Sequence, residues 1–266
     1  MSVLQSSGLG ARYAAFMEYA GSFYSGKAGQ DEHLDLKIEH TRNVILLAHS
    51  LAEEEREFLA DPERSRALFL AALFHDFGRF PQYARYGTFS DPRSVNHARL
   101  AVRELKRQAL LQEESTRVRH LALSAVLFHN RFAVPENLSA DFLAVALAVR
   151  DADKLDILRV MAADMLGDRP ADPVIVLDAV DSPEITPAIL EAVMERRPGS
   201  HADVCTTTDL KLLLCGWLYA LHYGWSRRAA VARGHLRALA GSLPDNAPAI
   251  RAFTAQYDKD LSEYGT

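Results

Sequence analysis

The apolar residues of this chain recur at helical spacing almost from end to end, and no run alternates apolar with polar residues as a half-buried strand requires. That property restricts the fold to packed helices. Apolar residues make up 48% of the 266 positions and charged residues 24%, enough for a sizeable core. The spacing predicts helices over 10–26, 35–58, 63–77, 94–113, 116–130, 139–161, 183–196, 207–223, 226–241 and 246–262. No internal repeat or low-complexity segment interrupts them. An all-α fold is the expectation.

Local chemistry marks several boundaries. Asp61-Pro62-Glu63 reads as an N-cap with proline at the first helical position. Gly78 can take the left-handed conformation that ends a helix. Ser94 can cap the helix that carries His97, and Asp181-Ser182-Pro183-Glu184 is a further start signal. The least regular segments are 80–93, rich in aromatic and polar residues, and 167–187, which holds Pro170, Pro173, Pro183 and Pro187. The second does not read as a divider between independent domains. Beyond it the broad apolar face of Leu210, Leu213, Leu214, Trp217, Leu218 and Leu221 needs something to pack on, so one domain over 1–266 is expected.

Bulk properties exclude several roles. A formal charge of −5 gives no extended surface for nucleic acid or an anionic membrane. The longest apolar stretch, 212–221, is far short of the roughly 20 residues a spanning helix needs. Met1 to Gly8 lacks the basic and apolar regions of a signal peptide. Cys205 and Cys215 fall on one predicted helix, about 15 Å apart at its rise per residue, too far for a disulfide. They read as reduced core thiols, and the expected location is cytoplasmic. A homodimer stays open.

The chemistry concentrates at His75 and Asp76, which close the apolar run Ala67 to Phe74. An imidazole and a carboxylate buried there without partners would be costly, and a metal ion satisfies both at once. Other candidates lie on inward stripes. His40 continues Val44, Leu47 and Leu51; His75 continues Leu68, Ala71 and Ala72; His129 continues Val118, Leu121, Ala122 and Ala125. Asp153 continues Phe142, Ala146 and Val149, and His97 lies near the edge of a fifth stripe. One histidine on an apolar face is usually a hydrogen-bonded core residue. Four or five inward imidazoles and carboxylates would make an expensive core, and a metal site explains them better. Spacing alone does not choose between Asp151 and Asp153, because Asp151 shares an apolar row with Ala144, Ala148 and Leu155.

In order and context, His40, His75-Asp76 and Asp153 resemble the His, His-Asp, Asp motif of the HD superfamily of metal-dependent phosphohydrolases. The resemblance covers about residues 36 to 160. It selects Asp153 through Asp153-Lys154-Leu155, since the family's aspartate is followed closely by leucine; Asp151 and Asp156 would then support the ligands. Arg79 stands where the family often has a lysine or arginine. His97 and His129 resemble the extra ligands of binuclear members. The stretch from Pro81 to Asp91 resembles an uncharacterised bacterial subfamily, and residues 165–266 resemble nothing identified.

The resemblance implies an HD-domain helical bundle with additional C-terminal helices. It implies His40, His75, Asp76, Asp153, His97 and His129 as metal ligands, and catalytic roles for Asp76, Arg79, His97 and His129. One or two divalent ions (Mn, Mg, Co, Ni, Zn or Fe) would activate water against a nucleotide or other small phosphoester. Arg79 would fork onto phosphate oxygens, with Lys154 and Arg131 as weaker candidates. The two extra histidines could hold a second ion, orient substrate or protonate the leaving oxygen. The alternative is a di-iron oxygenase on the same six ligands. A third class is a binding protein that keeps the fold without turnover.

Overall fold

The structure is a computed structural model, described here for residues 8–135, 138–245 and 247–265. The segment read as lacking a signal sequence lies, but for Gly8, outside the described residues, as does the expected helix start at 246. Among the described residues the chain is helical, without strands; one isolated parallel bridge joins Val180 and Thr206. Among the same residues no helix is long and apolar enough to cross a membrane. The chain divides into two compact units, one ending at Asp156 and the other starting at Ile157.

The first unit contains α1 (Gly10–Gly21), α2 (Ala28–Glu54), the short α3 (Arg56–Leu59), α4 (Pro62–Phe74), α5 (Arg79–Tyr86), α6 (His97–Arg107) and α7 (Thr116–Phe128). It also holds most of α8 (Ala140–Met165), which runs on past the boundary. Helix α4 is the centre. From Leu70 to Phe74 every side chain is buried, so the helix is apolar all round and needs neighbours on more than one side. It packs against α2 and α7. Burying each of its leucine and phenylalanine side chains stabilises by roughly 1.5–3 kcal/mol relative to exposure.

Asp61 caps α4 by accepting from the Arg64 amide (3.1 Å), and Ser115 caps α7 by accepting from the Val118 amide (3.2 Å). Arg117 joins these two ends. Its guanidinium donates to Asp61 Oδ1 (3.0 Å) and to Asp141 Oδ2 in the first turn of α8 (2.7 Å), while Arg64 reaches Asp141 Oδ1 (2.6 Å). The starts of three helices are thereby held together. The opposite ends of α4 and α7 are also neighbours, because the rings of His75 and His129 lie 5.2 Å apart.

Several boundaries differ from expectation for physical reasons. Gly78 is not left-handed: its φ is −75°. Glycine is required there by space, since a Cβ would come within 2.2 Å of the His97 carbonyl oxygen and 2.7 Å of the Ala101 nitrogen. Helix α5 occupies part of a segment read as irregular. Pro81 lies in its first turn, where a missing N–H is tolerated, and the left-handed Gly87 (φ 64°) ends it. Ser94 does not cap α6. Asn96 does, accepting from the Arg99 amide at 2.9 Å, while Ser94 donates to the Ser90 carbonyl (2.7 Å).

The second unit holds α9 (Pro187–Met194), α10 (Thr207–Gly216), α11 (Gly224–Ala232), α12 (His235–Gly241) and α13 (Pro248–Tyr264). Asp181 to Glu184 starts no helix; the Ser182 carbonyl accepts from Thr208, and α9 begins only after Thr186, whose amide is held by Asp209 (2.7 Å). A left-handed Gly234 (φ 75°) splits the expected 226–241 helix. Helix α10 opens with a capping box of Thr206 and Asp209 and packs against α9 and α12. Cys215 is buried in it, whereas Cys205 precedes the helix and is exposed, contrary to its reading as a core thiol. No disulfide joins them.

Candidate metal centre

Three kinds of local structure bring the site residues together. His40 sits in the interior of α2, on the stripe that also buries Val44, Leu47 and Leu51. His75 and His129 each occupy the residue immediately after a helix, α4 and α7, while the backbone is still helical. His97 is the first residue of α6, and Asp153 lies on α8 one turn from its neighbour Asp156. All four imidazoles are 0–4% exposed.

Each Nδ1 is engaged outward. That of His75 donates to the Ala72 carbonyl (2.9 Å), and that of His129 to the Val126 carbonyl (2.7 Å). His40 Nδ1 donates to Asp156 Oδ2 (2.8 Å), and His97 Nδ1 lies 2.8 Å from both oxygens of Asp91. Every one of these acceptors takes a proton and gives none, so each Nδ1 carries hydrogen and each Nε2 is left to face inward.

The four Nε2 atoms then meet in pairs, His40 to His75 at 3.1 Å and His97 to His129 at 3.0 Å. In the second pair both nitrogens present lone pairs at hydrogen-bond distance with no proton between them. Burial holds both rings neutral: His97 is shifted down, and His129 is pushed down to about 3 by burial and then by His97 and His75. Two facing lone pairs on buried rings repel unless a cation lies between or beside them. The donor set therefore fits a divalent metal. In the first pair His40 Nε2 also lies 3.1 Å from Asp153 Oδ1. Burial opposes charge on His40, but its hydrogen bonds to Asp153 and Asp156 outweigh this and raise it to about 9. A proton can serve this pair without an ion; an ion would serve His40, His75 and Asp153 together.

Asp76 joins the two pairs. Its Oδ2 is 3.7 Å from the Nε2 of both His40 and His75, and its Oδ1 is 3.4 Å from His97 Nε2 and 3.8 Å from His129 Nε2. Two groups can each hold an ion, His40 with His75 and Asp76, and Asp76 with His97 and His129. Burial would raise the Asp76 carboxyl, but the Lys37 ammonium first, then His75 and Arg79, hold it well below the usual carboxylate range. Lys37 Nζ lies 2.8 Å from Asp76 Oδ2.

The structure places Asp153 against His40 and His75 and sets Asp156 on His40 from behind. Asp151 is buried on the same helix. Arg79 is partly committed: it donates to Gln82 Oε1 (2.8 Å), Asp91 Oδ1 (3.1 Å) and the Phe89 carbonyl, and its Nε lies 3.4 Å from Asp76 Oδ1. Arg131 is exposed and stacks on Phe128, 4.4 Å from the ring centroid. Lys154 is shifted down to about 8 by burial and then by Arg150.

Sequence reasoning missed four contributors. Lys37 precedes His40 by three residues, which puts both on one helix face, and that spacing could have revealed it. Asp91 lies in a loop and also accepts from Gln82 Nε2 and Asn130 Nδ2, both at 2.9 Å. Gln82 is fully buried and also reaches Ser94 Oγ and the Val95 carbonyl at 2.9 Å. Arg150 holds the turn after His129 by donating to the carbonyls of Phe128 (3.3 Å), His129 (2.9 Å), Arg131 and Phe132 (3.2 Å). No periodicity marks the contacts of Asp91, Gln82 and Arg150, because each joins a loop.

A family model described as HD domain matches residues 38–158. That interval contains every ligand candidate. No curated protein and no solved structure matches the chain.

Proposed function

We propose that the chain, whose residues 38–158 match the HD domain model, is a metal-dependent phosphohydrolase acting on a nucleotide or other small phosphoester. The observation that carries the reading is the pairing of inward Nε2 atoms around the shared carboxylate of Asp76, with two cationic side chains, Lys37 and Arg79, beside that carboxylate. His40, His75, Asp76 and Asp153 would hold one ion; Asp76, His97 and His129 would hold another. A bound divalent ion supplies a Lewis acid that lowers the pKa of water and offsets charge gathering on phosphorus.

The chain's own residues divide the remaining work. His97 and His129 have Nδ1 committed, so each has a single nitrogen to offer. Either can hold an ion or pass a proton, not both at once, and their facing geometry favours the ion. Lys37 and Arg79 bring positive charge beside the shared carboxylate of Asp76. An ammonium suits a phosphate oxygen as a point charge, and a guanidinium suits it as a fork. Phe89 supports both cations, at 5.0 Å from Lys37 Nζ and 5.9 Å from the Arg79 guanidinium.

The test is phosphate release from a nucleotide panel by protein stripped with a chelator and reloaded with Mn, Mg, Co, Ni, Zn or Fe. Release is expected only with metal and should vanish in Asp76→Ala. Dioxygen consumption by iron-loaded protein with visible absorption, and no phosphate release with any metal, would replace this reading with the di-iron oxygenase.

A further inference from the structure

Both ion positions are built to one plan. Each pairs a histidine that follows a helix and rests on that helix's own carbonyl, His75 on Ala72 or His129 on Val126, with a histidine whose Nδ1 rests on a carboxylate, His40 on Asp156 or His97 on Asp91. The supporting carboxylates differ. Asp156 is fully buried, and its Oδ2 faces His40 directly at 2.8 Å. The side chain of Asp91 is 23% exposed, lies in a loop, and shares its charge among His97, Arg79, Gln82 and Asn130. An imidazole becomes a more basic metal ligand when its other ring N–H donates to a carboxylate, and an exposed carboxylate gives less of this than a buried one. The donor sets differ as well, since Asp153 adds a second carboxylate to the first position and the second has only the shared Asp76.

We propose that the two positions load in order, the His40–His75–Asp153 position first and the His97–His129 position second and more weakly, and that Asp91 is the positioning residue that sets the affinity of the second. This rests on the metal reading above and goes beyond it. The weaker ion is the one that exchanges with the medium, so the availability of metal governs activity through that position alone. Asp91 reaches it from a segment that is also tied to Arg79, which joins the metal loop to the cation beside Asp76.

Metal content measured against buffered free Zn or Mn distinguishes the outcomes without any substrate. The wild-type chain should bind two ions in two separated phases. Asp91→Asn keeps the size of the side chain and removes its charge; it should weaken the second phase by about 10–100-fold and leave the first in place. Asp156→Asn should weaken the first phase instead. Circular dichroism checks that each variant retains its helices, and if Asp91→Asn does not, the two-phase titration of the wild type still decides. Two ions of equal affinity, one ion only, or an Asp91→Asn protein with native helicity that loses both ions together would each overturn the proposal. One bound ion would leave the phosphohydrolase reading standing, whereas no bound ion would remove both.

Discussion

Gly78→Ala tests whether the close approach of α6 to the turn after Asp76 is as strict as its geometry. A Cβ at this position would lie 2.2 Å from the His97 carbonyl oxygen, 2.7 Å from the Ala101 nitrogen and 3.1 Å from the His97 carbonyl carbon. All three atoms are backbone, so no rotamer change relieves them, and the start of α6 must move by about 1 Å. Overpacking of this kind costs about 1–3 kcal/mol, and the lack of a flexible neighbour puts this site at the upper end. The backbone itself accepts alanine, with φ at −75°, so the smaller freedom of the unfolded chain returns roughly 0.4–1 kcal/mol. The net expectation is a loss of about 2 kcal/mol, read as a fall in melting temperature of roughly 4–8 °C for a unit of this size. Gly87→Ala provides the contrast. Nothing lies within 4 Å of its Cβ, but its φ of 64° makes the loss conformational, about 1–2 kcal/mol, and asparagine should recover part of it. Because α6 begins with His97, only Gly78→Ala should also loosen the second ion position. Thermal melts by circular dichroism, with metal content measured in parallel, give the answer. A Gly78→Ala protein that melts within about 2 °C of wild type would show that the turn and α6 are not packed as described.

Further outcomes follow from other parts of the molecule. Arg150→Ala should leave the His129 carbonyl without its donor, the Phe128 carbonyl keeping the Arg131 amide, and destabilise by about 1–3 kcal/mol in urea melts, and Arg150→Lys should not restore it because a single ammonium cannot span the four carbonyls; an unchanged midpoint would show the turn holds itself. A thiol-alkylating reagent should modify exposed Cys205 readily and Cys215 only on unfolding, because burial pushes the Cys215 thiol up to about 12. Since that folded value is raised, the stability Cys215 contributes is complete below about pH 8.5 and declines as pH rises from there towards 12; equal labelling of both cysteines in native protein would contradict this. Asp61 works in the opposite direction, its carboxyl held low chiefly by Arg117. Its contribution is present above about pH 4 and is lost as pH falls further, so Arg117→Ala should lower the melting temperature at pH 7 more than at pH 2; an effect independent of pH would remove the charge argument.

The helices and the inward placement of four of the ligand candidates were legible because both depend on local periodicity. His40, His75, His129 and Asp153 each extend an apolar stripe that has to be buried, so burial of the stripe carries the polar residue in with it. Contacts that join loops carry no such signal. Asp91 reaches His97 from six residues away across an irregular segment, and Arg150 reaches carbonyls about twenty residues earlier. Gly78 was legible as a boundary and not for its reason, because its need arises from the α6 backbone, far off in sequence. The segment 80–93 read as irregular from its aromatic and polar content, although the short helix α5 covers its first half. The choice of Asp153 over Asp151 came from the family pattern; its geometric basis, the approach to His40, needs three dimensions.

The clamp that gathers the first turns of α4 and α7 around Arg117 has an effect at the other end of both helices. With their starts side by side and their ends at His75 and His129, the two helices run parallel, and their peptide dipoles add. Each C-terminus presents the equivalent of roughly half a negative charge to the imidazoles, while α5 and α6, which begin at Arg79 and His97, bring two N-termini of opposite partial charge to the same cluster. The helix ends therefore largely offset one another. The charge that draws a cation is left to the carboxylates, and Lys37 already rests on Asp76 at 2.8 Å, so an incoming ion competes with an ammonium the chain supplies.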